Sequence, residues 1–131
     1  MTTKAISVKC MRVENAAYYG IPLNELVRLD LEDYLLGVVP AEVGNAPLEA
    51  AKAQAIAART YAMPFVLNGN AISDQSSTHQ AYRALRSTDA AYARAHAGVK
   101  ETAGMVLTYD GKILPTCSYC ASNGGRTVSA L

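Results

Sequence analysis

A net charge of +1 over 131 residues, from 12 Lys and Arg against 11 Asp and Glu, gives no electrostatic footprint for nucleic acid or an anionic membrane. Half of the residues are hydrophobic and 18% are charged, which excludes a disordered chain and allows a sizeable core in one domain spanning residues 1–131. Three cysteines are too few for a disulfide framework.

Residues 5–13, AISVKCMRV, alternate roughly between apolar and polar and predict a strand. ELVRL, residues 25–29, predicts a second short strand. Asp30 is placed to N-cap a helix, with Asp33 at the third position in a short-acid variant of the capping box. That helix runs through LEDYLLGVV and is expected to stop at Pro40, because the residue before proline disfavours the helical region. The stretch NAPLEAAKAQAIAARTYAMPFVLN predicts a long Ala-rich helix. Asn45 is its expected cap, Pro47 suits the first turn and Glu49 suits the positive end of the dipole. Leu48, Ala51, Ala55, Ala58, Ala62 and Phe65 follow helical spacing, and Pro64 is expected to kink or end the helix. Lys52, Gln54, Arg59 and Pro64 interrupt this apolar-leaning segment, so it predicts no membrane span.

NGNAISDQSSTHQAYR is turn-rich and reads as a loop, and STDAAYARAHAGVKETAG as a second helix with a glycine stop. MVLTYDGKILPTCSY predicts a hairpin turning at Asp110-Gly111. The expected fold is α+β: one domain with the long Ala-rich helix packed on a small antiparallel sheet. SNGGRTVSAL reads as a loop leading into more structure, which predicts a piece of a longer chain. MTTKAISVKCMRV lacks the apolar region of a signal peptide. That leaves either a cytoplasmic protein or a chain whose targeting segment is not included.

Glu42 stands among Val38, Val39, Pro40 and Val43. An acid that must hold a proton at working pH is favoured by such an apolar frame. A solvated acid in a helix–helix connection fits the same pattern. The other acids have simpler roles: Glu32 and Asp33 in a first turn, Glu49 at a helix start, Asp110 in the hairpin turn.

The blocks LEDYLLGVVPAEV, PLEAAKAQAIAARTYA, HQAYR, TAGMVLTYDGKIL and SNGGRT occur in an order that resembles the stage II sporulation protein D family, which includes the amidase-enhancer domain. The resemblance covers about residues 25–128. Its sporulation members are lytic transglycosylases of peptidoglycan, and the Glu of their V-P-x-E block is the catalytic acid, which here is Glu42. The resemblance therefore implies cleavage of the β-1,4 bond between N-acetylmuramic acid and N-acetylglucosamine, leaving a 1,6-anhydromuramyl end. The alternative within the same family is a non-catalytic peptidoglycan-binding module that enhances a partner amidase. A purely structural domain of an envelope complex is a third reading. The implied setting is extracytoplasmic, in the cell envelope or between forespore and mother cell. The implied partners are peptidoglycan strands and a cell-wall amidase or sporulation engulfment proteins, with no cofactor.

Gln54 and Tyr61 lie seven residues apart on one face of the Ala-rich helix, with Arg59 offset. They either bind sugar hydroxyls and position Glu42, or fill the core, with Arg59 in a buried ion pair. His79, Gln80 and Tyr82 match the family's H/C-Q-x-Y block at the cleft, as candidates for sugar contact. Ser122, Gly124 and Gly125 of SNGG would let backbone approach the saccharide, or form an ordinary turn. Some family members hold zinc through two cysteines; here those positions are Ser73 and His79, so no metal is expected. Cys117 and Cys120 form C-x-x-C, and with His79 they would offer three zinc ligands. Residues three apart on a strand point to opposite faces, which opposes joint ligation.

Overall fold

A helix whose inward stripe is alanine can be approached closely by its neighbours, and this organises the chain. The computed structural model describes residues 4–113 and 127–130. In chain order the elements are β1 (Ala5–Lys9), α1 (Val13–Tyr19), β2 (Leu26–Asp30), α2 (Leu31–Val43), α3 (Leu48–Asn68), β3 (Ala71–Ser73), α4 (Ala93–Glu101), β4 (Met105–Tyr109), β5 (Lys112–Ile113) and β6 (Thr127–Ala130). The architecture is α+β, as expected. The strands form two three-stranded sheets, ordered β2-β1-β3 and β5-β4-β6. The first is mixed: β1 pairs antiparallel with β2, Ile6 opposite Leu29, and parallel with β3, Val8 opposite Ile72. The second is antiparallel, and the two-residue turn Asp110-Gly111 joins β4 to β5. Both turn residues have positive φ, 53° and 74°, as a primed hairpin turn requires.

Ala51, Ala55, Ala58 and Ala62 of α3 are fully buried. Around them pack Leu35, Val38 and Val39 from α2, Val99 from α4, Val106 from β4, and Ile6 and Val8 from β1. The closest approach is at Gly98, where a Cβ would lie 2.7 Å from the Ala51 carbonyl carbon. Between α3 and α4 there is no room for a methyl group.

Several expectations need correction. The first strand ends at Lys9, not at residue 13, because the Met11 and Arg12 N–H groups turn away to donate to Asp74. The chain then enters α1, which the alternation concealed. Asp30 caps α2 as expected, accepting from the Glu32 and Asp33 N–H groups. However, α2 continues through Pro40 to Val43, and α3 continues through Pro64 to Asn68. Each proline removes one helical hydrogen bond, and packing on the core outweighs that loss. Glu42 thus lies on the last turn of α2, not in a connection. Asn45 does not cap α3; its side-chain oxygen accepts from the Arg94 N–H at the start of α4. The stretch 68–83, expected as a loop, contains β3, and the helix expected over residues 87–104 narrows to α4, preceded by short 3-10 turns at 84–87 and 90–92.

Arg59 is fully buried on α3. Its guanidinium makes a bidentate pair with Glu32 of α2, Nε to Oε2 at 2.8 Å and Nη2 to Oε1 at 2.7 Å. It also donates to the Val99 and Met105 carbonyls and the Thr102 hydroxyl. We expect Glu32→Ala to lower the unfolding free energy by about 3 kcal/mol, the low end of the range for breaking a buried pair, because Glu32 is 36% exposed. Gly98→Ala should cost about 1–3 kcal/mol through overpacking. Denaturant titration of both variants checks these values. Native-like midpoints would show that the guanidinium and the Ala51–Gly98 contact are dispensable.

Candidate active site

The apolar residues flanking Glu42 in sequence lie behind it. Val38 and Val39 are fully buried, and Val43 packs partly buried on the core. The half-buried Glu42 stands at the carbonyl end of α2, the negative pole of the helix dipole. One group meets its carboxylate: the Ala81 N–H donates to Glu42 Oε2 at 3.0 Å. Oε1 has no hydrogen-bond partner among the described residues.

Ala81 belongs to the HQAYR block, and its neighbours are held from several sides. His79 packs its ring edge-to-face on Phe65, centroids 4.8 Å apart, with Tyr61 at 6.4 Å. Its Nδ1 accepts from the Ser73 N–H at 2.8 Å. The neutral ring therefore carries its proton on Nε2. Gln80 is buried beneath the block and donates to the Ala58 carbonyl of α3 and the Tyr34 hydroxyl of α2. Tyr82 is buried and stacked on Tyr34, centroids 5.3 Å apart, and its hydroxyl is hydrogen-bonded to that of Tyr19. Burial pushes the Tyr82 phenol far above its ordinary range. Gly37 makes room for this ring, since a Cβ there would collide with Tyr82 and the Arg83 carbonyl.

A second network anchors the block from below. Asp74, fully buried, accepts from the Met11 and Arg12 N–H groups and from Asn15 Nδ2. Asn15 also donates to the Tyr82 carbonyl at 2.7 Å and accepts from the Ala84 N–H at 2.9 Å. Cys10 sits beside this network. Burial, with the Asp74 charge adding to it, pushes its thiol up to about 11, so it is an inert core residue.

The structure sorts the predicted residues into two groups. Glu42, Tyr61 and His79 keep partial exposure around the block. Gln54 is half-buried, with its Nε2 buried and unpartnered, and Gln80 Oε1 is likewise unpartnered. Arg59, Gln80 and Tyr82 lie inside, at 0%, 1% and 1% exposure. Their side chains face the interior, where Arg59 takes up the buried ion pair that was one of its two expected roles, and Gln80 and Tyr82 hold the surrounding backbone. Ser122, Gly124, Gly125, Cys117 and Cys120 lie outside the described residues. The Ala81 N–H was missed, because a backbone donor carries no side-chain signal. Phe65 was visible only as a core residue of the helical stripe.

Ser73 and His79, the positions matching the family's zinc cysteines, are adjacent in space. Yet Ser73 Oγ accepts from the Gln75 N–H and His79 Nδ1 from the Ser73 N–H. A hydroxyl and one imidazole do not make a zinc donor set. Among the described residues no three His, Cys, Asp or Glu side chains gather as metal ligands.

Burial lowers the His79 pKa from the ordinary value of 6.5. A group with a depressed folded pKa contributes stability above its unfolded value and loses it as pH falls through the folded value. The unfolding free energy should therefore be flat in this respect above pH 6.5 and decline below it, and His79→Asn should remove that part of the decline. Imidazole ¹⁵N NMR should show the proton on Nε2; a proton on Nδ1 would contradict the Ser73 bond.

The model of the SpoIID family, described as stage II sporulation protein, matches residues 19–109, more than half of the chain. An uncharacterized protein of Brachyspira hyodysenteriae is 37% identical over 126 residues, covering 86% of this chain and 33% of the relative. The amidase enhancer of Bacillus subtilis is 37% identical over 96 residues, covering 71% of this chain and 12% of the relative. Stage II sporulation protein D of Bacillus subtilis is 26% identical over 135 residues, covering 91% of this chain and 37% of the relative. The chain thus spans little more than a third of these relatives at most. Glu42, the α3 seam and the 79–82 block all fall within the matched segment, and the chain belongs to the SpoIID family of stage II sporulation proteins.

Proposed function

We propose that this chain carries the glycan-cleaving centre of a lytic transglycosylase acting on peptidoglycan, with Glu42 as its single acid–base group. Family membership supports the cell-wall role. The observation that carries the finer reading is the division of labour on the Glu42 carboxylate. Oε2 is held by the Ala81 N–H at 3.0 Å, which leaves Oε1 to carry and deliver a proton.

The chemistry needs only one carboxylate. Glu42 protonates the glycosidic oxygen as the bond to the muramic acid anomeric carbon breaks. The C6 hydroxyl of the same sugar attacks that carbon, and Glu42 takes up the hydroxyl proton. The 1,6-anhydro ring closes without water, so the second carboxylate of a hydrolase has no task. The rings of Tyr61, Phe65 and His79 pack together, with His79 two residues before Ala81, and offer an aromatic surface suited to the apolar face of a sugar ring. The half-buried Gln54 has a buried Nε2 with no partner among the described residues, a donor still to be matched. The site would act outside the cytoplasm, at the cell envelope. No helix among the described residues is long and apolar enough to cross a membrane.

A second reading has specific support. The Bacillus subtilis relative at 37% identity is named an amidase enhancer. On that reading the same surface holds glycan while a partner amidase cuts the peptide link.

Peptide-free glycan strands digested with the protein and analysed by mass spectrometry separate the two. We expect 1,6-anhydromuramic ends, and a loss of turnover of about 10²–10⁴-fold in Glu42→Gln with glycan binding retained. A native protein that binds glycan, cuts nothing and accelerates an added amidase would establish the enhancer reading. Equal cleavage by Glu42→Gln would place the acid elsewhere.

A further inference from the structure

A recess of about 130 Å³ opens beside α1, lined by Arg12, Glu14, Asn15, Arg83, Leu85 and Arg86. Asn15 also anchors the 79–82 block, but none of these six bonds Glu42. Three arginines line it, and two of them are incompletely matched among the described residues. Arg12 Nη2 pairs with Glu14 at 3.1 Å, but Glu14 is 60% exposed, so solvent screens the pair. Arg12 Nε is buried and has no hydrogen-bond partner among the described residues. The Arg83 guanidinium makes no hydrogen bond or ion pair among the described residues. Arg86 is oriented by its Nη1 bond to the Pro40 carbonyl at 2.9 Å and by stacking over Tyr92, 5.1 Å from the ring centroid. The nearby negative charges are Glu14 and, behind the wall, Asp74, whose oxygens are taken by the Met11 and Arg12 N–H groups and Asn15. Three cations against two carboxylates leave surplus positive charge around a buried N–H that lacks an acceptor.

An oxyanion answers each of these features. It would accept from Arg12 Nε and pair with Arg83 through charge-assisted bonds. Since a water molecule's share of liquid is about 30 Å³, the space holds a group of several heavy atoms. We propose that this recess binds a carboxylate or phosphate oxyanion. Arg86 bonds the carbonyl of Pro40, two residues before Glu42, so the recess is tied to the turn of α2 that carries the acid. A glycan strand that still bears peptide stems would present their carboxylates to this recess. That assignment of the source rests on the proposed transglycosylase reading, whereas oxyanion binding does not.

The test is a ¹H–¹⁵N NMR titration of the full chain with inorganic phosphate, including the Arg12 Nε–H signal. Saturable shifts are expected at Arg12, Asn15 and Arg86, with affinity about tenfold weaker in Arg83→Gln, as one charged hydrogen bond predicts. Among the described residues Arg83 makes no side-chain hydrogen bond or ion pair, and its charge acts only at a distance on the exposed Glu14, so that variant should fold normally. Glu42→Gln should bind phosphate as the native chain does, so failure of the catalytic reading would not register here. Displacement of phosphate by stem-bearing but not peptide-free glycan supports the site with a stem carboxylate as ligand. Displacement by neither supports it with a free oxyanion as ligand. Absence of saturable shifts at these residues, or unchanged phosphate affinity in Arg83→Gln, overturns the proposal.

Discussion

One buried cation ties the helical layer to the sheet. Arg59 has five N–H donors, and the structure matches five acceptors to them: two oxygens of Glu32, the Val99 and Met105 carbonyls and the Thr102 hydroxyl. Those acceptors belong to the first turn of α2, the end of α4 and the start of β4. A charge at zero exposure is tolerable only when paired and hydrogen-bonded, so each of these elements must arrive for the others to be stable. The alanine stripe makes this geometry reachable. With no long side chains between α3 and α4, the carbonyls at the end of α4 come within reach of a guanidinium rooted on α3.

The site depends on this frame indirectly. The 79–82 block has little regular structure, yet it is held from above and below. Gln80 reaches α3 and α2, Tyr82 stacks on Tyr34, and Asn15 grips the Tyr82 carbonyl and Ala84 N–H. Asp74 fastens Asn15 and the chain around Arg12 to the end of β3. The product of these contacts is the placement of one backbone N–H against Glu42. The buried residues matter for what they hold: Gln80 and Tyr82 lie inside the block and fix its backbone.

Pro40 shows how local and tertiary preferences trade. Its ring removes the hydrogen bond to the Leu36 carbonyl. Its own carbonyl gains two donors, the Gly44 N–H and Arg86 Nη1. The helix therefore extends one further turn, and Glu42 rides on it with its side chain against Ala81.

The elements legible in the sequence were those whose cause lies within a few residues. The Asp30 cap, the Asp110-Gly111 turn and the alanine periodicity of α3 follow from local hydrogen bonding, backbone sterics and helical spacing, and each appears in the structure. The order of motif blocks likewise indicated the family and drew attention to Glu42. What the sequence could not decide were partners distant along the chain. Asn45 has a capping side chain, but only the approach of α4 directs it to Arg94, 49 residues away. The strand β3 reads as loop because its hydrogen bonds are with β1 rather than with a neighbour in sequence. Arg59 is equally compatible with sugar and with Glu32 until packing removes it from water. By itself the sequence determined the local conformations and the residue types available for chemistry. The tertiary structure alone decided which of them face solvent and which backbone group meets the acid, because burial and long-range hydrogen bonds exist only once the helices and sheets have packed.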